Sequence, residues 1–303
     1  MLLDMLSATL GLPNSYLDAL SRSSAHQYKR YSIPKRSGGF RTIHHPSRRL
    51  KTVQYALLRS VLTQLPVHAA ATAYKPGAST AQNALPHVNS KFLLRMDLRD
   101  FFPSLRTGDF DQYVLSYPER FSSYAQGDLL LFKRFVFRGE TLTIGAPTSP
   151  ALSNVLCFDL DVQLAALAQS RNVTYTRYAD DLFFSTKVPN TLISLENDVT
   201  QIVEEATLPA GLHINASKTR HSSTKGRRRV TGVILGSDGQ IHTGRNYKRQ
   251  ICGEIYKFLT LSPEQKVQLA GKIAYVRSVE PAFLNKLVLK YGVDRIEAAK
   301  KGR

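Results

Sequence analysis

Residues 174–185, TYTRYADDLFFS, set two adjacent carboxylates, Asp180 and Asp181, between two short apolar runs. Runs of this length and composition read as strands, and the Ala-Asp-Asp step between them reads as a turn. Neighbouring like charges repel, and burying them is costly unless something cationic stands beside them. Asp also favours turns for local reasons, so the pair alone would pass as turn chemistry. A second feature argues against that. Residues 91–97, KFLLRMD, form another apolar run that ends on an acid, Asp97. If these strands lie side by side, three carboxylates converge on one edge of a sheet. Such a cluster becomes favourable around divalent hard cations, which take oxygen ligands. Two Mg2+ ions roughly 3.5–4 Å apart are the recurring device for in-line nucleotidyl transfer.

Charge points the same way. The 303 residues carry 41 Lys and Arg against 23 Asp and Glu, a net charge of +18 and a pI near 10.0. Residues 19–96 contain no acid at all, residues 218–229 (KTRHSSTKGRRR) are basic without an acid, and basic residues outnumber acids again past Arg245. A cationic surface undiluted by counter-charges suits a polyanion whose phosphates drive affinity. A hydrophobic share of 43% and a charged share of 21% are those of an ordinary globular chain, and no apolar run reaches membrane-span length. The N-terminus MLLDMLSATLGLPNS has no basic n-region, and the two cysteines, Cys157 and Cys252, make neither a disulfide framework nor a zinc site. A cytoplasmic setting is therefore expected.

Leu50, Val53, Leu57, Val61 and Leu65 at helical spacing predict a helix over residues 50–65. SIPKRSGGFRTIHHP reads as a hairpin with a Ser-Gly-Gly turn. Residues 148–168 predict one long helix, with Ser149 as N-cap and Pro150 in the first helical position. Residues 230–243 predict a strand, an Asp-Gly turn and a second strand. Residues 245–303 read as mostly helical and basic. Strands and helices interleave without a regular βαβ alternation, so the expected class is α+β around an antiparallel sheet.

The motifs resemble those of reverse transcriptases. YADD at 178–181 looks like the family's metal-binding hairpin, and LLRMDLRDFF (93–102) resembles its first catalytic motif. GAPTSPALSN (145–154), GLHINASKT (211–219) and GGFRTIHHP (38–46) resemble, in family order, the motif under the nucleotide, the next palm motif and a fingers segment. The resemblance implies a right-hand polymerase architecture: N-terminal helices and fingers over residues 1–90, an antiparallel-sheet palm over 91–239 with a fingers insertion about 106–140, and a helical thumb over 240–303. It implies that Asp97, Asp180, Asp181 and the Leu98 carbonyl bind two Mg2+ ions. By the same resemblance Lys218 protonates pyrophosphate, Arg41 clamps the triphosphate, and the Gly145 and Ala146 backbone approaches the nucleotide. Phe102, five residues after Asp97, matches the steric gate that selects deoxyribose. Thr143-Ile144 stands where many relatives carry Pro-Gln, which removes an amide contact near the nucleotide. Asp100 reads as a cap of the turn into Phe101 and Pro103, not as a metal ligand.

Two further elements resemble retron reverse transcriptases: Asn-Ala-x-x-His at Asn83 to His87, and Val230-Thr231-Gly232. LAGKIAYVRSVEPAF (269–283) is similar to their thumb. Asn83 and His87 are expected either to contact RNA or to position neighbouring groups. Arg227, Arg228 and Arg229, together with Val230, Thr231 and Gly232, are expected on a nucleic-acid backbone. Tyr247, Tyr256, Phe258 and Tyr275 divide between thumb core and stacking on unpaired bases. The resemblance implies an RNA-directed DNA polymerase that takes dNTPs and copies part of a dedicated, structured non-coding RNA into cDNA from a guanosine 2′-OH, giving a branched RNA–DNA. It also implies a phage-defence setting with a separate effector protein. A group II intron-type maturase and a non-catalytic RNA-binding module of the same fold are the alternatives.

Overall fold

Alternation decides where the central sheet puts its acids. The computed structural model describes residues 1–34 and 38–302. Strands β1 (Tyr28–Pro34) and β2 (Phe40–Pro46) form an antiparallel ribbon with Pro34 opposite Phe40. Of its expected Ser-Gly-Gly turn, Ser37 lies outside the described residues. β1 is exposed for nearly its whole length, and the ribbon is tied to the body by the His44 N–H, which donates to the Ile144 carbonyl at 2.9 Å.

Strands β3 (Phe92–Asp97), β4 (Thr174–Tyr178), β5 (Asp181–Thr186) and β6 (Arg220–Ser223) make a sheet in the order β4-β5-β3-β6, antiparallel throughout. Side chains on a strand alternate between faces. Leu94 and Met96 of β3, with Leu182 and Phe184 of β5, therefore face the main core. That core includes Leu152 and Val155 from helix Ser149–Leu156, Leu160 and Leu164 from helix Phe158–Ser170, and Leu195 and Val199 from helix Thr191–Glu205. Leu93, Arg95 and Asp97 share the opposite face. At its far end Leu93 and Phe183 are covered by Ala84, Val88 and the small sheet of β7 (Arg229–Val230), β8 (Val233–Leu235) and β9 (Ile241–His242). A third apolar cluster joins the C-terminal helices through Ile251, Ile255, Leu269, Ile273, Leu287 and Ile296.

Four local expectations need correction. The long helix over 148–168 is two helices bent by 54° at Cys157. Thr148 holds the N-cap position without a side-chain bond, and the Ser149 hydroxyl instead accepts the Thr143 N–H at 3.3 Å. The helix over 50–65 runs Arg48–Ser60 and then tightens into a single turn, Leu62–Gln64. Residues 230–243 hold two reversals rather than one. Thr231 and Gly232, at φ 45° and 87°, turn the chain directly after Val230, before the expected Asp238-Gly239 turn.

Candidate active site

Register brings the acids together. Asp97, the last residue of β3, is the cross-strand partner of Asp181, the first of β5, and Asp180 precedes it in the turn. The Leu98 N–H donates to the Asp180 carbonyl at 2.8 Å, which stitches the chain after β3 to that turn. Asp97 is 3% exposed. Both its oxygens accept from Lys218 Nζ at 2.9 Å, and Asn215 Nδ2 donates to Oδ1 at 3.3 Å. Asp181 Oδ1 accepts from Arg95 Nε at 3.0 Å and Nη2 at 2.8 Å. Burial pushes the Asp181 carboxyl up to about 6, with Asp180 and Asp97 adding to the push and Arg95 opposing it. The Asp180 carboxyl is raised as well, first by burial and then by Asp97, against the pull of Lys218 and Arg41.

Among the described residues no three His, Cys, Asp or Glu side chains already form a metal-ligand set. Asp97 instead bonds Lys218, and Asp181 bonds Arg95. The donor chemistry nevertheless fits hard divalent cations. Three carboxylates share one end of a sheet, burial holds the pKa of two of them up, and two cationic side chains, Arg95 and Lys218, lie against the cluster.

Comparison with known proteins decides the family. Residues 33–235 match the model for "Reverse transcriptase (RNA-dependent DNA polymerase)". The chain is 34% identical over 291 residues to the Retron Ec83 reverse transcriptase of Escherichia coli, covering 93% of this chain and 92% of that protein. It is also 34% identical over 275 residues to the Retron Ec73 reverse transcriptase of Escherichia coli, covering 87% and 86%. The chain belongs to the retron reverse transcriptases. It is an RNA-directed DNA polymerase with the right-hand polymerase fold, in a family that typically uses divalent metal ions.

This reverse transcriptase places Arg41 on the exposed ribbon, close enough for its charge to act on Asp180. Gly145 sits at φ 116°, and a Cβ there would meet the His44 carbonyl oxygen at 2.7 Å. A glycine is needed because the loop lies against β2. Ala146 next to it is buried. Phe102 is half-buried, with its ring 6.2 Å from that of Tyr74. Tyr74 escaped the sequence reading. It holds a left-handed φ of 61°, and its hydroxyl is pushed up to about 12 by burial and then by Asp180. Arg95 also escaped, since nothing in its spacing distinguishes it from any other strand arginine. Asp100 occupies the N-cap position at φ 45°, but its side chain makes no cap bond; its carbonyl accepts the Ser104 N–H at 3.0 Å.

The two retron-type elements touch each other inside the protein. Asn83 and His87 are fully buried, so their side chains position other groups and present no surface to RNA. Asn83 Oδ1 accepts from Thr72 Oγ1 at 2.9 Å and Thr176 Oγ1 at 2.6 Å, and its Nδ2 lies 3.5 Å from Thr231 Oγ1. With the Thr176 hydrogen given to Asn83, Thr176 accepts from His87 Nε2 at 2.8 Å; His87 Nδ1 then accepts from Ser185 Oγ at 2.7 Å. Burial pushes the ring's pKa down to about 4 and so keeps it neutral, with its proton on Nε2. Arg228 also departs from expectation. It shares the inward face with Val230, is 3% exposed, and donates to the Val88, Ser90 and Gly236 carbonyls. Val230 is likewise buried in the core and presents no surface to RNA, Thr231 is half-buried, and Arg227, Arg229 and Gly232 are exposed. Of the C-terminal aromatics, Phe258 is core, Tyr247 and Tyr275 pack edge to face at 5.5 Å, and Tyr256 is exposed.

His87 sets a pH dependence. Its folded pKa lies below the unfolded value of 6.5, so its contribution is intact above 6.5 and is lost as pH falls towards about 4. From this residue, stability is expected to drop by about 3 kcal/mol across that window. His87→Gln should lose that slope in urea unfolding at pH 7, 5.5 and 4.5. An unchanged slope would remove the residue from the account.

Proposed function

We propose that Asp97, Asp180 and Asp181, with the Leu98 carbonyl, hold two Mg2+ ions at the end of the palm sheet. Bound there, the ions would supply charge neutralisation for the triphosphate and a lower pKa for the attacking hydroxyl. The cross-strand pairing of Asp97 with Asp181, next to Asp180, is the observation that carries this reading. Lys218 leaves Asp97 to give a proton to the departing pyrophosphate, and Arg41 swings on the ribbon to meet the triphosphate. Gly145 and Ala146 back the nucleotide. Residues 1–90 act as fingers, 91–239 as palm with an insertion about 106–140, and 240–303 as thumb. Exposed Arg227 and Arg229 meet the phosphate backbone of RNA.

The template is a cognate structured RNA, primed from a guanosine 2′-OH so that the product is a branched RNA–DNA. The protein works in the cytoplasm, in antiphage defence, with a separate effector. Support comes from the retron relatives and the strongly basic surface. Sequencing of nucleic acid that co-purifies with the protein tests this. A DNA joined to an internal RNA 2′ position is expected, and unbranched RNA alone contradicts the priming step.

Phe102 sets sugar choice by standing where a 2′-OH would lie. Phe102→Ala is expected to raise ribonucleotide incorporation by about 10- to 100-fold relative to dNTP. Extension that remains strictly dNTP-dependent in this variant removes Phe102 from that role.

A further inference from the structure

Directly before the acid turn lies the largest fully buried side chain among the described residues, Arg177. Its Nε and Nη2 donate to Asp161 Oδ1 and Oδ2 at 2.8 and 2.6 Å, and both partners are wholly excluded from solvent. Asp161 comes from the first turn of helix Phe158–Ser170 and also accepts the Tyr175 hydroxyl at 2.8 Å. The remaining nitrogen, Nη1, lies 3.2 Å from Asn154 Oδ1 and 3.2 Å from the carbonyl oxygen of Ala179. Backbone bonds fix Arg177 itself: its N–H donates to the Ala70 carbonyl and its carbonyl accepts the Thr72 N–H, each at 2.8 Å.

Ala179 is where this network meets the chemistry. It holds a left-handed φ of 59°, a conformation that a residue with a Cβ resists. Without a bond on its carbonyl, nothing in the side chain favours that geometry. A buried ion pair is a poor source of net stability compared with an apolar pair of similar shape, but it fixes geometry well. Arginine suits the task because its planar fork serves a carboxylate with one edge and a carbonyl with the other, which a lysine ammonium does not.

We propose that Arg177 is a positioning residue: anchored by Asp161, its guanidinium holds the Ala179 carbonyl and so sets the left-handed turn that aims Asp180 at the divalent-cation site. This rests on the reading that Asp97, Asp180 and Asp181 hold the ions. The turn is then pinned from two sides, by Arg177 on Ala179 and by the Leu98 N–H on Asp180.

The test measures Mn2+ binding to the nucleic-acid-free protein by electron paramagnetic resonance, beside thermal unfolding and the dNTP dependence of primer extension. Arg177→Lys is expected to fold, to bind Mn2+ about 10-fold more weakly, and to lose kcat by at least that factor with KM for dNTP nearly unchanged. Adding Ala179→Gly, which adopts the left-handed turn unaided, should recover about threefold or more of the lost Mn2+ affinity. A merely structural ion pair would show no such recovery. Wild-type Mn2+ affinity in Arg177→Lys, or no recovery on adding the glycine, overturns the proposal. If Arg177→Lys does not fold, Tyr175→Phe, which trims one bond from Asp161, must weaken Mn2+ binding by about twofold, and unchanged binding overturns the proposal. Asp180→Asn separates this inference from the reading beneath it. Unchanged Mn2+ binding there overturns the ion site itself; loss there with intact binding in Arg177→Lys overturns only the role of Arg177.

Discussion

Asp180→Asn is expected to cut primer extension on an RNA template by about 10^3-fold, roughly 4 kcal/mol of transition-state stabilisation, while the protein stays folded. The amide keeps the size and one acceptor oxygen of the carboxylate but removes the charge that a hard cation needs. Stability should move the other way, and Asp181 shows why. Its folded pKa of about 6 lies above the unfolded value of 3.8. A group shifted upward contributes stability below its unfolded pKa and loses it as pH rises through the folded pKa. At pH 7 without metal, the charged Asp181 carboxyl is therefore a liability. Asp181→Asn should unfold at higher denaturant concentration, by about 2 kcal/mol once discounted for solvent screening at the partly exposed site, the pull of Arg95 being already contained in the shift. Saturating Mg2+ should reverse the order, because only the wild type gains binding free energy, about 2.7 kcal/mol at a hundredfold excess over Kd. A variant that loses both activity and metal-free stability would mean that the carboxylates serve the fold.

Asp161→Ala carries the second large effect. It leaves the Arg177 guanidinium in the core with its charge uncompensated and takes away the acceptor of the Tyr175 hydroxyl. Removing one partner of a fully buried pair costs about 3–5 kcal/mol. The double variant Asp161→Leu with Arg177→Met removes the charge as well and should recover most of that stability, yet remain impaired in extension because no donor then holds the Ala179 carbonyl. Denaturant unfolding of the three proteins checks the first part and primer extension the second. Full activity in a stable double variant would detach the buried pair from catalysis.

Much of the site was legible because its residues break local rules. Asp97 ends a strand that is apolar but for Arg95, and Asp180 and Asp181 interrupt a hairpin, so the carboxylates stand out at strand ends. That they meet follows from register, since pairing of β3 with β5 slipped by one residue would have sent Asp97 to the opposite face. Burial of polar groups was much less visible. The spacing of Asn83 and His87 marked them as belonging together, but nothing local says that both lie inside, bonded to Thr176 and Ser185. Arg227 to Arg229 looked like one cationic patch. Strand alternation counted back from the apolar Val230 would have put Arg228 inside and left Arg227 and Arg229 outside, as the structure has them. Arg177 and Asp161 pair from separate elements, and charge composition cannot distinguish such a pair from two solvated residues. The bend at Cys157 was hidden because no Pro or Gly marks it.

Anomalous scattering from Mn2+ in crystals of the protein with an RNA template, a primer and a non-hydrolysable dNTP bears most directly on where the reaction occurs. The expected result is two peaks bounded by the Asp97, Asp180 and Asp181 carboxylates, with Lys218 and Arg95 drawn away from them. Peaks elsewhere, or carboxylates still paired with Lys218 and Arg95 beside a bound nucleotide, would contradict the assignment.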